Sequence, residues 1–305
     1  MKKTRYIFFL LTIAHCLASD FSFAQQVFLS NQHIVNKASL SPAYTGFGDN
    51  VGVFGSYRKD WIGVAGAPES KIISANGTLF KNMGIGGSVT AQQAGIFTNL
   101  SAMLNYAYHV KFSESCFLSI GLGFGILERH LDLSNGDAID PVINNMDRTS
   151  SMADASIGAL FHYKNLNFGF GSPRVTNKKS DKSFIWSNRR VHLSYKCSFS
   201  KSWAIEPIVI YYPKQPMFAE IVVPIIYQQK VWLSLIYKET SAGLGIGANV
   251  KSNIVFNYTF EWYEHGLAHR SGGTHEITLG WKFLKNKTNL PKPDNKKPYY
   301  EWINK

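Results

Sequence analysis

The chain has 305 residues, of which 45% are hydrophobic, 14% aromatic and 17% charged, with 25 glycines and a formal charge of +12 at pH 7. That hydrophobic content excludes long intrinsic disorder, and past residue 18 no eighteen-residue apolar run exists to form a spanning helix. Abundant aromatics with scarce charge sit badly with a soluble basic domain and predict a surface that faces something other than water.

At the amino end Lys2, Lys3 and Arg5 precede the apolar run from Tyr6 to Ala14, and Ser22-Phe23-Ala24 places small residues at cleavage offsets. This is the pattern of a secretory signal peptide over residues 1–24. A mature chain starting at Gln25 would keep 281 residues (305 less 24) and two cysteines, Cys116 and Cys197, too few for a disulfide framework. Removing Lys2, Lys3, Arg5 and Asp20 from the 32 basic and 20 acidic residues leaves a formal charge of +10. Export sets nucleic acid aside as the partner of that charge, in favour of anionic glycans or lipid head groups. Residues 25–50 are polar and interrupted by Pro42, Gly46 and Gly48, which does not suit a spanning strand. They read either as a plug or as a periplasmic arm.

From residue 51 onward apolar and polar residues alternate, a period that sends successive side chains to opposite faces of a strand. The predicted strands lie near 51–59, 69–79, 83–93, 98–110, 115–128, 151–163, 166–172, 188–198, 202–212, 217–227, 230–239, 242–250, 253–263 and 274–283. The clearest is 253–263, where Ile254, Phe256, Tyr258, Phe260 and Trp262 oppose Asn257, Thr259 and Glu261. Most are about ten residues long, the length with which a tilted strand crosses a bilayer. From the second onward every other connection is short, whereas 129–150, 173–187 and 264–273 are long.

Short turns at one rim and longer loops at the other predict an all-β, transmembrane antiparallel β-barrel of fourteen strands, with twelve or sixteen left open, its termini on the periplasmic side of the outer membrane. Closure is a physical requirement, since hydrocarbon offers no partner to an unpaired backbone N–H or C=O. The alternating apolar face then meets lipid, with Tyr163, Trp203, Tyr211, Tyr212, Tyr227, Trp262, Tyr263 and Trp281 expected in interfacial girdles. Charges facing lipid are costly, so Arg58, Asp154, His192, Lys196, Glu206, Glu220, Glu261, Glu276 and Lys282 are assigned to the lumen. A fourteen-stranded lumen is too wide for its own side chains to fill and leaves room for a plug or ligand.

The long loops are the natural binding surface. Residues 129–150 carry Asp132, Asp137, Asp140 and Asp147, whose spacing matches no calcium loop and reads as solvated acid, whereas 173–187 is basic through Arg174, Lys178, Lys179 and Lys182. Residues 284–305 combine Lys285, Lys287, Lys292, Lys296, Lys297 and Lys305 with Pro291, Pro293 and Pro298, the composition of an extended, basic periplasmic tail. Gly121-Leu-Gly123-Phe-Gly125 and Gly243-Leu-Gly245-Ile-Gly247 precede no helical pattern and read as barrel bends. His265 and His269 would come together only on a helix, which Gly266 opposes, so no metal site is assigned. With no nucleophile motif either, the chain is not expected to be an enzyme and no cofactor is assigned.

Several motifs in one order carry a resemblance: Gln32-His-Ile-Val-Asn36, Leu40-Ser-Pro42-Ala43-Tyr44-Thr-Gly46, Tyr57-Arg58-Lys-Asp-Trp61, Gly66-Ala67-Pro68, Gly84-Ile-Gly86-Gly87, Asn105-Tyr106-Ala107-Tyr108-His109 and Gly273-Thr-His275-Glu276. In these the chain resembles the PorP/SprF membrane proteins of the type IX secretion system, with Ser41 where the family pattern usually has Asn and Asp60 where it commonly has Gln. The resemblance implies an outer-membrane barrel of the secretion and gliding-motility machinery that binds, delivers or anchors a surface protein, often an adhesin, through that cargo's C-terminal sorting domain. Its implied partners are the cargo, other type IX components and outer-membrane lipid; a passive or substrate-selective porin is the alternative. Candidates for partner or lumen contact are Asn36, Pro42, Tyr44 and Trp61 from the motifs and Arg58, His192, Glu206, Glu261 and Glu276 from the inward set, with Asp132, Asp137, Asp140, Arg174 and Lys178 in the loops.

Overall fold

A computed structural model describes residues 30–47, 50–80, 82–131, 148–172, 189–213, 218–251, 253–263 and 267–285. The predicted signal peptide and the acidic and basic loop candidates, Asp132, Asp137, Asp140, Arg174 and Lys178, lie outside them, as does the tail beyond Lys285. The strands are β1 (Asn50–Lys59), β2 (Glu69–Phe80), β3 (Met83–Ala94), β4 (Phe97–Ser113), β5 (Cys116–Leu131), β6 (Thr149–Tyr163) and β7 (Leu166–Ser172). They continue as β8 (Arg190–Tyr195, resuming at Cys197–Ser198), β9 (Trp203–Ile205, resuming at Ile208–Tyr212), β10 (Phe218–Tyr227), β11 (Val231–Lys238), β12 (Ser241–Lys251), β13 (Ile254–Tyr263) and β14 (Thr274–Lys285). Each pairs antiparallel with the next, and β14 returns to β1 with Arg58 opposite Glu276, so the sheet closes into a fourteen-stranded barrel. Closure leaves no sheet edge for hydrocarbon to meet.

Two strands are broken for local reasons. Pro207 has no N–H for the ladder, and there β9 is interrupted while Glu206 N–H bonds Pro224 C=O at 3.1 Å. In β8 the break falls at Lys196, whose N–H bonds Asn165 C=O at 3.1 Å. Register shifts between Val51 and Gly52, Thr78 and Phe80, Lys111 and Ser113, and Asn249 and Lys251 all sit near the short turns. The opposite rim carries the long connections but also two tight ones, 95–96 and 239–240.

Period-two patterning is realised throughout. In β11, Leu233, Leu235 and Tyr237 face out, whereas Trp232, Ser234, Ile236 and Lys238 are buried inside. All nine side chains assigned to the lumen are buried, from Glu261 at 0% exposure to Lys282 at 7%. Two girdle assignments are corrected. Tyr212 is 5% exposed and its hydroxyl donates to Glu220 across 3.4 Å, while Tyr263 stands edge-on to Trp61. Neighbours on a strand point to opposite faces, so of Tyr211 and Tyr212, or Trp262 and Tyr263, one of each must turn inward.

Inside the barrel, residues 30–47 make three tight 3-10 turns, Asn31–Ile34, Lys37–Ser39 and Pro42–Tyr44. Each starts at a short polar residue whose side-chain oxygen accepts the N–H two residues on: Ser30 from Gln32 at 3.1 Å, Asn36 from Ala38 at 3.3 Å and Ser41 from Ala43 at 3.3 Å. Pro42 opens the third turn with its φ already restricted. The segment descends the lumen. Ser30 lies by Glu276 near the long-loop end of β14, and Thr45 lies by His109 near the short-turn end of β4.

Candidate functional site

The site is the lumen, built from the plug outward. At the long-loop mouth Glu276 accepts from Ser30 Oγ at 2.7 Å and from Asn31 N–H at 2.8 Å. The Asn31 amide also donates to Glu261 at 2.7 Å and Thr259 at 3.0 Å. Arg58 completes this clamp by donating to Glu261 at 2.6 Å, Glu276 at 3.2 Å and Asp60 at 2.9 Å. Lys238 reaches Glu261 at 2.9 Å, approaches Glu220 at 3.8 Å and donates to Asn31 Oδ1 at 3.1 Å. These carboxylates are bridged by two cations and by the plug's own amide, the arrangement that makes buried charge tolerable.

His33, on the plug rather than on a strand, lies 3.7 Å from Glu220. Burial holds its imidazole below the ordinary value, against the opposing pull of Glu220. Lys37 pairs with Glu206, and burial likewise pushes its ammonium down while that carboxylate pulls it up. Asn36 bonds Ser74 and Asn76 on β2, each at 3.1 Å.

Lower down, Tyr44 meets His192 through a 3.0 Å hydrogen bond and a ring separation of 5.2 Å. Phe47 packs on Phe117, which stacks on His162 at 4.5 Å. Leu40, Ala43 and Tyr44 share one apolar core with Phe117, Leu160, Ile208 and Ile210. Ile34 enters a second with Ala204, Val222, Ile226, Trp232, Ile236 and Val255.

Glycines decide how closely the plug can lie. Gly121, Gly158 and Gly171 are cross-strand partners on β5, β6 and β7, a side-chain-free row under Leu40 to Ala43. A Cβ at Gly121 would stand 2.3 Å from the Ala43 nitrogen, and one at Gly158 would stand 2.0 Å from Ser41 Oγ. Gly46, at φ +70°, meets Gly84, whose own Cβ would lie 2.0 Å from the Thr45 carbonyl oxygen. The glycines read from the sequence as strand bends therefore include, in Gly121, a seat for the plug.

Of the sequence candidates, Arg58, Glu261 and Glu276 share the clamp, Tyr44 pairs with His192, and Asn36, Pro42 and Glu206 bind plug to wall. Trp61 stands apart on the long-loop rim, at φ 48°. Ser30, Asn31, Lys37 and Lys238 complete the contacts and were not among the candidates. Lys238 was legible, since it follows Ser234 and Ile236 at steps of two; Ser30 and Asn31 leave no periodic trace.

Two open features remain. Loop 60–68 is laced to its neighbours, Ile62 N–H to Gly273 C=O at 2.9 Å, Gly272 N–H to Ile62 C=O at 2.7 Å and Gly95 N–H to Gly66 C=O at 2.9 Å, making an apolar platform at the mouth. Beside it, Ser88, Thr90, Gln92, Asn99 and Ser101 on the inward faces of β3 and β4 stay half-buried, an uncharged vestibule wall. Among the described residues no group of His, Cys, Asp and Glu suits a metal ion.

The family model described as "Type IX secretion system membrane protein PorP/SprF" matches residues 22–281. No curated protein matches the chain. Similar solved structures include the Pseudomonas putida toluene transporter TodX, at 8% identity over 84% of this chain and 95% of that one, with a TM-score of 0.47. The monoaromatic hydrocarbon channel CymD is 9% identical over 84% of this chain and 94% of its own, at a TM-score of 0.49. Omp33 of Acinetobacter baumannii is 7% identical over 78% of this chain and 100% of its own, at 0.45.

Proposed function

Because the chain belongs to the PorP/SprF family of type IX secretion membrane proteins, we propose that this outer-membrane barrel binds, delivers or anchors a large surface protein, adhesin-like in character, through the cargo's C-terminal sorting domain. Its role is binding without chemistry, in company with other type IX components. The observation that supports a holding role over passive flux is the occupied lumen. Residues 30–47 are tied to the wall by the Lys37–Glu206 ion pair, by hydrogen bonds to Glu276 and Glu261, and by two apolar cores. Cargo would meet the barrel at the long-loop mouth, where the platform Trp61–Pro68 presents Ile62 at 42% exposure. Loops on a rigid scaffold commonly carry such contacts.

Pull-down of the full-length protein from native membranes tests this, alongside planar-bilayer recording. Co-purification of a large secreted protein with little ion flow is the expected result. The half-buried polar wall of β3 and β4 favours a second reading, a substrate-selective porin. Steady conductance with no secreted cargo or secretion component in the pull-down would replace the first reading with the second.

A further inference from the structure

We infer that the short-turn rim is a ring of lysines that binds the phosphates of anionic glycerophospholipids in the leaflet on the side of the chain termini. Lys111, Lys164, Lys201 and Lys230 stand in or beside four successive short turns, and Lys251 and Lys285 end β12 and β14 at the same rim. Among the described residues there, Glu114 is the one acid, and it is taken by Lys111 at 2.6 Å. The opposite rim is mixed, with Glu69 held between Lys59 at 3.1 Å and Lys71 at 3.0 Å. The side chains of Lys164, Lys201 and Lys230 are exposed.

What selects lipid over an acidic protein is the company these lysines keep. Phe112, Tyr163, Phe199, Trp203 and Tyr227 are the outward aromatics beside them, all exposed on the lipid-facing side. Such a belt marks the headgroup boundary. The Lys164 ammonium lies over the Tyr163 ring at 5.3 Å, so stem and ring share one depth. Lysines placed there extend their charge into the headgroups while their stems stay in the apolar layer. Successive turns are two strands, about 10 Å, apart, a spacing that suits separate phosphates around the circumference better than one compact ligand.

The test is spin-labelled lipid association with the full-length barrel in phosphatidylcholine vesicles, comparing labelled phosphatidylglycerol, labelled phosphatidylcholine and labelled lipid A. The expected result is phosphatidylglycerol retained about two- to three-fold over phosphatidylcholine, with the preference lost in high salt. It should also be lost in the triple variant Lys164→Gln, Lys201→Gln, Lys230→Gln, but kept when all three are changed to Arg. Heat-modifiable gel mobility checks that each variant is a folded barrel. Equal retention of the two lipids by the unchanged protein overturns the inference, as does a preference that the Gln variant keeps. Lipid A retained above phosphatidylglycerol in the same lysine-dependent way overturns the choice of lipid. A photo-crosslinker at position 201 in native membranes should yield lipid adducts; protein adducts alone would assign the ring to an acidic protein instead.

Discussion

Gly158→Leu should unseat the plug while sparing the barrel. Position 158 faces the lumen, where a leucine on β6 strains no backbone, but even its Cβ would stand 2.0 Å from Ser41 Oγ. Contact distance is about 3.5 Å, so the plug must retreat by about 1.5 Å before the rest of the leucine is placed. Overpacking of this kind costs about 1–3 kcal/mol. Retreat also uncovers Leu40 and Tyr44, each 2% exposed in the seated plug. Their exposure opposes release equally in the unchanged protein, so the change in seating is the overpacking alone, about 1–3 kcal/mol. That is roughly a 5- to 150-fold shift towards the unseated form, in which the clamp at the long-loop mouth would hold the first turn alone. Planar-bilayer recording of the folded variant should reveal discrete conductance where the unchanged protein has little. Gly158→Ala should give a weaker effect that Ser41→Ala relieves, since the nearest clashing atom is that hydroxyl. A folded Gly158→Leu barrel with unchanged conductance would refute the glycine row as the plug's seat.

Arg58→Met leaves Glu276 and half of Glu261 without their cation, and urea unfolding should report a loss of about 3 kcal/mol, the scale for breaking a buried pair; adding Glu276→Gln should recover part of it. Tyr44→Phe removes one buried hydrogen bond to His192 and should cost about 1 kcal/mol in the same assay, with conductance unchanged. His33 is held below its ordinary pKa of 6.5, so the seated plug keeps it neutral while a released plug takes up a proton first. Seating is therefore at full strength above pH about 6.5 and weakens as pH falls, and His33→Gln should flatten that dependence when conductance is followed from pH 7.5 to 5.

Much of the wall was legible because the bilayer imposes a strict rule on each strand. The runs 188–198, 253–263 and 274–283 keep hydrophobic and polar faces apart, so their inward charges could be assigned one by one. Where both faces are apolar the rule is silent. Ile208-Val-Ile-Tyr-Tyr212 and Ile221-Val-Val-Pro-Ile-Ile-Tyr227 read as continuous hydrophobic runs, because one face meets lipid and the other meets Ile34, Leu40 or Tyr44 of the plug. That double burial is also why Tyr212 could be mistaken for a girdle residue.

The sequence by itself placed fourteen strands to within a few residues, with twelve or sixteen still open, and told which face of most strands meets lipid, since a two-residue period and a fixed membrane thickness constrain every strand independently. Only the tertiary structure decided that residues 30–47 occupy the lumen, that Asn31 and Arg58 share two carboxylates, and that Gly121, Gly158 and Gly171 make one row. The reason is that these contacts join segments up to 246 residues apart, as Ser30 and Glu276 are, and no local period records which turn will lie against which strand once the cylinder has closed.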